Sequence, residues 1–181
     1  MAAVYPDQSV AFTDITAAAE TAHTVEVLAV RGLGILGLRD SLLRSGITSG
    51  SPKVVRALLL DPESDGAVRR AREIGETPAT FRASAVLAVS RLREMAAELG
   101  HLDSRDGEPP AVSVECYLYS SLPTWRVIAL DEVLFVSAFT DDAEGHRSPM
   151  YKITHTSSGG ALYRGFRRHI DEVRRTARRV V

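Results

Sequence analysis

Two nearly continuous apolar runs stand in the first third of the chain, at Thr24–Val30 and within Lys53–Pro62. Strands that are hydrophobic throughout, without alternation, are typical of parallel sheets covered by helices on both faces. Between them, Leu38–Gly46 places Leu38, Leu42 and Leu43 on one side, which predicts a helix ended by Gly46. The order therefore predicts a β-α-β unit.

The rest of the chain predicts further helices and strands in the same layer arrangement. Two helices are expected between Ser64 and Gly100, and a final amphipathic helix is expected between Tyr163 and Val180. Four strands are predicted, at 111–119, 124–130, 133–139 and 150–155. Together they predict an α/β fold with a mixed, largely parallel sheet flanked by helices.

The N-terminal part predicts a helix at Thr13–Ala22, with Thr13 or Asp14 as its capping residue. Residues 1–12 are then a candidate flexible arm. A chain of 181 residues with 45% hydrophobic content can bury a substantial core as one unit. We therefore expect residues 1–181 to form a single domain.

Charge and cysteine content narrow the possible partners and compartments. The 22 Lys and Arg residues nearly balance the 23 Asp and Glu residues, so no global field attracts nucleic acid or anionic lipid. A single cysteine, Cys116, excludes an intramolecular disulfide and fits a reducing cytoplasm. No apolar run approaches the roughly 18 to 20 residues of a membrane span, so we expect no membrane association.

The glycines Gly32, Gly34 and Gly37 follow the first apolar run with the spacing of a dinucleotide-binding turn. That interpretation also needs an acidic residue after the next strand, and Asp61 stands there. The alternative is a tight strand-to-helix turn whose backbone amides suit an anion. We favour the second interpretation, with Gly32, Gly34 and Asp61 lining a crevice at the carboxyl ends of the strands.

The last helix carries arginines on its polar face, and they present a local basic surface. This face would contact a nucleic-acid backbone, although the balanced net charge of −1 favours a solvated face or a subunit contact. The five histidines show no zinc-ligand spacing, so no metal and no cofactor are predicted. The arginines are Arg164, Arg167, Arg168, Arg174, Arg175, Arg178 and Arg179.

The segment Thr124–Asp131, followed by an apolar strand, resembles the core of a phospholipase D-like domain. That superfamily carries H-x-K-x-x-x-x-D and then a Gly-Ser stretch. Here Thr124 stands at the histidine place, Arg126 at the lysine place, Asp131 at the aspartate place, and Ser137 near the Gly-Ser place. The chain is similar to the domain that follows helix-turn-helix segments in some actinobacterial regulators.

The resemblance implies a histidine nucleophile, a lysine that holds phosphate oxygens and an aspartate that supports the histidine. Thr124 is a poor replacement because an unactivated hydroxyl is a weak nucleophile. The motif is therefore degenerate, and no catalytic residue is predicted. Arg126 still suits phosphate, since its guanidinium forms bidentate contacts and stays charged. A simpler interpretation is that Thr124, Arg126 and Asp131 only satisfy one another at a hairpin.

These observations predict a cytoplasmic regulatory or sensor module that binds a phosphorylated small molecule or nucleotide without turnover. Arg126 would bind the phosphate, Asp131 would orient Arg126, and Thr124 and Ser137 would add hydroxyls. The resemblance to one half of a two-part fold implies a homodimer, joined near Arg126 or through an apolar helix face. The alternatives are a phosphodiesterase or nuclease that recruits His155 or His23, a protein-interaction module, and a dinucleotide-binding protein.

Overall fold

A computed structural model describes residues 2–49, 54–102, 112–140, 146–155 and 160–181. Within these ranges there are eight strands and five α-helices, with a short π-helical turn at Leu33–Gly37. In chain order the elements are β1 Ala2–Tyr5, α1 Gln8–Thr21, β2 Thr24–Ala29, α2 Arg44–Ser49, β3 Val54–Leu60, α3 Asp65–Glu73, α4 Pro78–Leu102, β4 Ser113–Tyr119, β5 Trp125–Leu130, β6 Val133–Ala138, β7 Met150–Thr154, α5 Ala161–Thr176 and β8 Arg178–Arg179.

All eight strands form one sheet in the order β1-β7-β6-β5-β2-β3-β4-β8. The mixed α/β architecture predicted from the sequence is confirmed, but the expectation of a largely parallel sheet is wrong. Only the pairs β2·β3 and β3·β4 are parallel, whereas the other five pairings are antiparallel. The difference arises in the second half, where β5, β6 and β7 follow one another without a helical crossover, and such neighbours run antiparallel.

Helices cover both faces of the sheet, which explains why the central strands are almost entirely apolar. One face packs against α1, α2 and most of α4, around residues such as Ile15, Leu43 and Leu92. The other face packs against α3, the start of α4 and α5, around Phe81 and Ile170. Five of the six residues of β2 are buried as a result. No helix in the described ranges is both long and apolar enough to span a membrane.

The N-terminal residues proposed as a flexible arm form part of the fold in the structure. Ala2–Tyr5 pair antiparallel with β7 at one edge of the sheet. The Asp7 side chain caps α1 by accepting hydrogen bonds from the amides of Ser9 and Val10 at 2.8 and 3.1 Å. The helix therefore begins before the predicted Thr13, because Asp7 satisfies its first free amides.

The helix predicted at Leu38–Gly46 is displaced toward the C-terminus. The amides of Leu42 and Leu43 donate to the carbonyls of Gly34 and Ile35 at 3.0 and 2.9 Å, which ties this segment back to the π-helical turn. Helix α2 begins only at Arg44, and Gly46 lies inside it. A Cβ on Gly46 would lie 2.9 Å from the Cβ of Ala19, so the glycine permits close packing of α2 on α1.

Candidate functional site

The candidate site is built around the Arg126 side chain, near the start of β5. Arg126 is opposite Ser137 of β6 in the sheet register, and its Nε donates to Ser137 Oγ at 3.1 Å. Its Nη1 donates to Oε1 of Gln8, the first residue of α1, at 2.7 Å. Only 5% of Arg126 is exposed. Two strands and a helix end therefore fix one buried guanidinium.

The charge of Arg126 is not balanced by a carboxylate in the described part of the chain. Both of its named acceptors are neutral, and its Nη2 is buried without a hydrogen-bond partner among the described residues. Burial lowers the pKa of Arg126 to about 10, so the group is still charged at neutral pH. Because a buried charge without a partner is costly, an unpaired guanidinium is a feature of binding sites more than of stable cores.

A cavity of about 370 Å³ lies beside this guanidinium. Arg126 lies next to the carboxyl end of β2, since the adjacent Val127 is opposite Leu28. The turn that follows β2 supplies Gly32 and Gly34 to the cavity wall. Open α/β sheets place ligands at the carboxyl ends of their strands, and this cavity has that location.

Two further arginines line the cavity, but each is paired with a glutamate. Arg31 Nη1 lies 2.9 Å from both carboxylate oxygens of Glu76, and Arg70 Nη1 donates to Glu73 Oε2 at 3.1 Å. None of the described residues that line the cavity carries a carboxylate itself. The cavity wall is therefore cationic, and Arg126 contributes the charge that is not already compensated.

The glycine turn lies near Arg126, as predicted, although a short π-helical segment follows Gly32 in place of the expected α-helix. Gly32 adopts a left-handed conformation with φ of +71°, and a Cβ there would lie 2.9 Å from a methyl carbon of Leu59. The turn continues into the five-residue π-helical segment Leu33–Gly37. Glycine is thus required by backbone conformation and close packing, and the role of Gly32 and Gly34 toward a ligand stays a prediction.

Asp61 does not face this cavity, contrary to the sequence-based expectation. It follows β3 and accepts a hydrogen bond from the amide of Glu63 at 3.0 Å, and its carboxylate lies 3.5 Å from Nη2 of Arg178. Ser64 then caps α3. The segment is therefore a turn that leads into a helix, and its carboxylate pairs with the C-terminal part of the chain.

The prediction that Asp131 orients Arg126 is wrong. Asp131 lies at the other end of β5, roughly 16 Å along the strand from Arg126. Its carboxylate accepts hydrogen bonds from the backbone amides of His23 and Thr24 at 2.9 and 2.8 Å. Asp131 also adopts φ of +49° between β5 and β6. Asp131 therefore stabilises the turn between β5 and β6, and this role explains an aspartate at that position of the motif.

Thr124 does not line the cavity beside Arg126 and is therefore not part of the proposed site. It precedes β5, is exposed, and lines shallow grooves with Trp125 and His169 on the α5 side of the sheet. The structure therefore brings together Arg126, Ser137, Gly32 and Gly34 and leaves out Thr124, Asp131 and Asp61.

The two histidines considered as alternative nucleophiles lie near Asp131 and not near Arg126. His23 Nδ1 is 3.5 Å from Asp131, and the amide of His155 donates to the carbonyl of Glu132 at 2.8 Å. A different histidine, His146, lines the cavity beside Arg126. No pattern in the sequence indicates His146, because it follows β6 in a connection without helical or strand periodicity.

Part of the arginine face of α5 is turned inward. Glu26 on β2 is 1% exposed, and its carboxylate lies 2.9 Å from Arg167, 3.2 Å from Arg56 and 3.9 Å from Arg174. These contacts attach α5 to the sheet. Arg167 and Arg174 are thereby partly withdrawn from the basic surface. The other five arginines of the pattern stay exposed, at Arg164, Arg168, Arg175, Arg178 and Arg179.

Comparison with solved structures identifies the fold. Nuc from Salmonella typhimurium, a phospholipase D family member, superposes with a TM-score of 0.54 at 13% identity, over 99% of this chain and 96% of that chain. The protein thus has a phospholipase D-like fold, as the motif resemblance predicted.

TrmBL2, an archaeal chromatin protein described as showing a novel mode of DNA binding, matches with a TM-score of 0.49 at 14% identity. That match covers 99% of this chain, which spans only 55% of the TrmBL2 chain. No protein-family model matches the sequence, and no curated protein matches it.

Proposed function

We propose that this protein is a catalytically degenerate phospholipase D-like domain that binds a phosphorylated small molecule or a nucleotide and acts as a regulatory or sensor module. The observation that carries the proposal is the Arg126 guanidinium, which is buried at the wall of a cavity and has no counter-ion among the described residues. Burial without compensation is costly, and an anionic ligand would remove that cost.

Phosphate is the anion that this environment suits best. A guanidinium presents paired N–H groups that match phosphate oxygens, and no carboxylate lies among the described residues of the cavity wall to repel an anion. The cavity volume of about 370 Å³ is within the range of small-molecule sites. Ser137 and Gln8 hold the guanidinium in place, so it does not need to reorganise on binding.

We propose binding without turnover, because the residues needed for the chemistry of the superfamily are not assembled around Arg126. Thr124 lines other grooves, and both His23 and His155 lie beside the turn that contains Asp131. These positions weigh against the alternative of a phosphodiesterase or nuclease that uses either histidine. Hydrolysis of a generic phosphodiester, lost in both R126A and H155A, would instead support the enzymatic alternative.

The proposal includes a cytoplasmic homodimer, as the resemblance to half of a two-part fold implies. The edge strand β1 supports this, since Val4 and its cross-strand partner Tyr151 are 62% and 41% exposed. Paired apolar residues at a sheet edge favour self-association. Sedimentation equilibrium tests this part independently of ligand binding, and a monomer at all concentrations would reject it.

The main experiment is a thermal-shift screen of nucleotides and phosphorylated metabolites against the wild-type protein, Arg126→Ala and Arg168→Ala. A ligand that binds only the native state raises its melting temperature. We expect stabilisation of the wild type and of Arg168→Ala, which removes the same charge from an exposed position. Arg126→Ala should not respond. An equal response in all three proteins would reject the assigned site.

A further inference from the structure

A second cavity adjoins the one beside Arg126, and the two share the wall residues Gln8 and His146. This outer cavity has a volume of about 500 Å³ and is lined on one side by the first turns of α1. It includes Phe12, a ring that is 52% exposed. A ligand held at Arg126 can therefore extend past Gln8 onto an aromatic surface.

The two cavities differ in charge. In the inner cavity, Arg31 and Arg70 are paired with glutamates, whereas the charge of Arg126 has no counter-ion among the described residues. The outer cavity carries Asp7 together with Arg147, so its cationic charge is offset. Hydrogen bonds from Ser9 and Val10 lower the pKa of Asp7, which keeps that carboxylate ionised at neutral pH. An anionic group is thus favoured beside Arg126, and an uncharged group is favoured beside Phe12.

We infer that the ligand is a nucleotide whose phosphate binds Arg126 and whose base stacks on Phe12. This inference rests on the proposed function and narrows its ligand class from phosphorylated metabolites to those with a planar aromatic ring. Stacking of a base on an aromatic side chain raises affinity by about 5- to 150-fold and tolerates any base. Phe12 is on the second turn of a helix capped by Asp7, so its position relative to Gln8 is fixed.

The test compares three probes by titration calorimetry: adenosine 5′-monophosphate, ribose 5-phosphate and inorganic phosphate. On the wild-type protein, we expect the nucleotide to bind about tenfold more tightly than the sugar phosphate. Phe12→Ala should reduce the affinity for the nucleotide to that for the sugar phosphate and leave the sugar phosphate unchanged. Arg126→Ala should remove binding of both.

Two further variants control for effects on the helix. Val10 is 57% exposed on the same helix and does not line either cavity, so Val10→Ala should bind all probes like the wild type. Phe12→Trp should retain the preference for the nucleotide, because an indole also stacks.

The possible failures are distinguishable. If the nucleotide and the sugar phosphate bind equally and Phe12→Ala changes neither, the base site is refuted while the proposed function stands. The same conclusion follows if Phe12→Ala weakens both probes equally. If no probe, including other nucleotides, binds the wild type, the proposed function fails and this inference fails with it.

Discussion

Arg126 Nη1 donates a hydrogen bond to Gln8 Oε1 at 2.7 Å, which joins the start of β5 to the first residue of α1. The acceptor is an amide, so it positions the guanidinium without neutralising it. A carboxylate at the same place would form a buried ion pair and leave little reason for an anion to bind. The neutral acceptor is therefore central to the account of the site.

Replacing that amide by a carboxylate should increase the stability of the protein and weaken its binding of an anionic ligand. We expect Gln8→Glu to raise the free energy of unfolding by about 1 kcal/mol or more, because a hydrogen bond between charged groups is stronger than one to an amide. The same variant should reduce phosphate or nucleotide affinity at least tenfold. Urea unfolding and calorimetric titration measure the two effects. Gln8→Ala, which removes the positioning contact but adds no charge, should reduce the affinity less than Gln8→Glu does. A Gln8→Glu variant that binds normally would contradict the role of Arg126.

The buried carboxylate of Glu26 should be important for stability and not for binding. Glu26→Gln removes the partner of Arg56 and Arg167, and we expect a loss of about 2–4 kcal/mol, reduced by the partial solvation of these arginines. Glu172→Gln breaks the exposed pair with Arg175 and should cost less than about 0.5 kcal/mol. Chemical denaturation checks both values. Similar losses in the two variants would mean that burial of Glu26 is unimportant.

Asp131 should behave as a turn residue in spite of its place in the motif. Asp131→Ala loses both acceptors for the amides of His23 and Thr24 and places alanine at a left-handed φ, so we expect a loss of roughly 2 kcal/mol. Asp131→Asn should lose less, since asparagine tolerates this conformation. Ligand-induced thermal shifts should match the wild type in both variants, and loss of the shift would place Asp131 in the site after all.

The Cys116 thiol should be inert in the folded protein. It is fully buried, and burial raises its pKa to about 12. We expect no reaction with a disulfide reagent at pH 8 until the chain is unfolded in denaturant.

The raised pKa of Cys116 also predicts that the free energy of unfolding depends on pH. Because the folded pKa is above that of an unfolded thiol, the free energy of unfolding is fully retained below about pH 8.5 and falls as the pH rises toward 12. Cys116→Ala should reduce that fall between about pH 8.5 and 9.5. In the labelling experiment, rapid reaction of Cys116 with the disulfide reagent in the native protein would contradict its buried position.

Much of the fold was predictable because the hydrophobic pattern reflects burial directly. The runs at β2 and β3 are nearly all apolar because helices cover both faces, and the period of α4 matches its contacts with the sheet. The prediction of a largely parallel sheet was wrong, because an apolar run does not indicate the direction of a strand relative to its neighbours. The start of α1 was missed because one capping aspartate, Asp7, decides it.

The site was predicted only where a contact follows from strand register or from a connection between adjacent elements. Arg126 and Ser137 meet because they are opposite each other in a hairpin, and the glycine turn is near because it follows the neighbouring strand. Gln8, Phe12 and His146 come from elements distant in sequence, so no local pattern indicates them. Asp131 was misassigned because a motif aspartate and a turn aspartate look the same in a sequence.

The most direct test is to measure the unfolding free energy and the ligand response of Arg126→Met in the same buffer. If Arg126 is held for a ligand, replacing its uncompensated charge by an apolar side chain of similar length should leave the ligand-free protein at least as stable as the wild type and abolish nucleotide-induced stabilisation. A loss of more than about 2 kcal/mol in the absence of ligand, together with an unchanged nucleotide response, would show that Arg126 is a structural residue and would contradict the account.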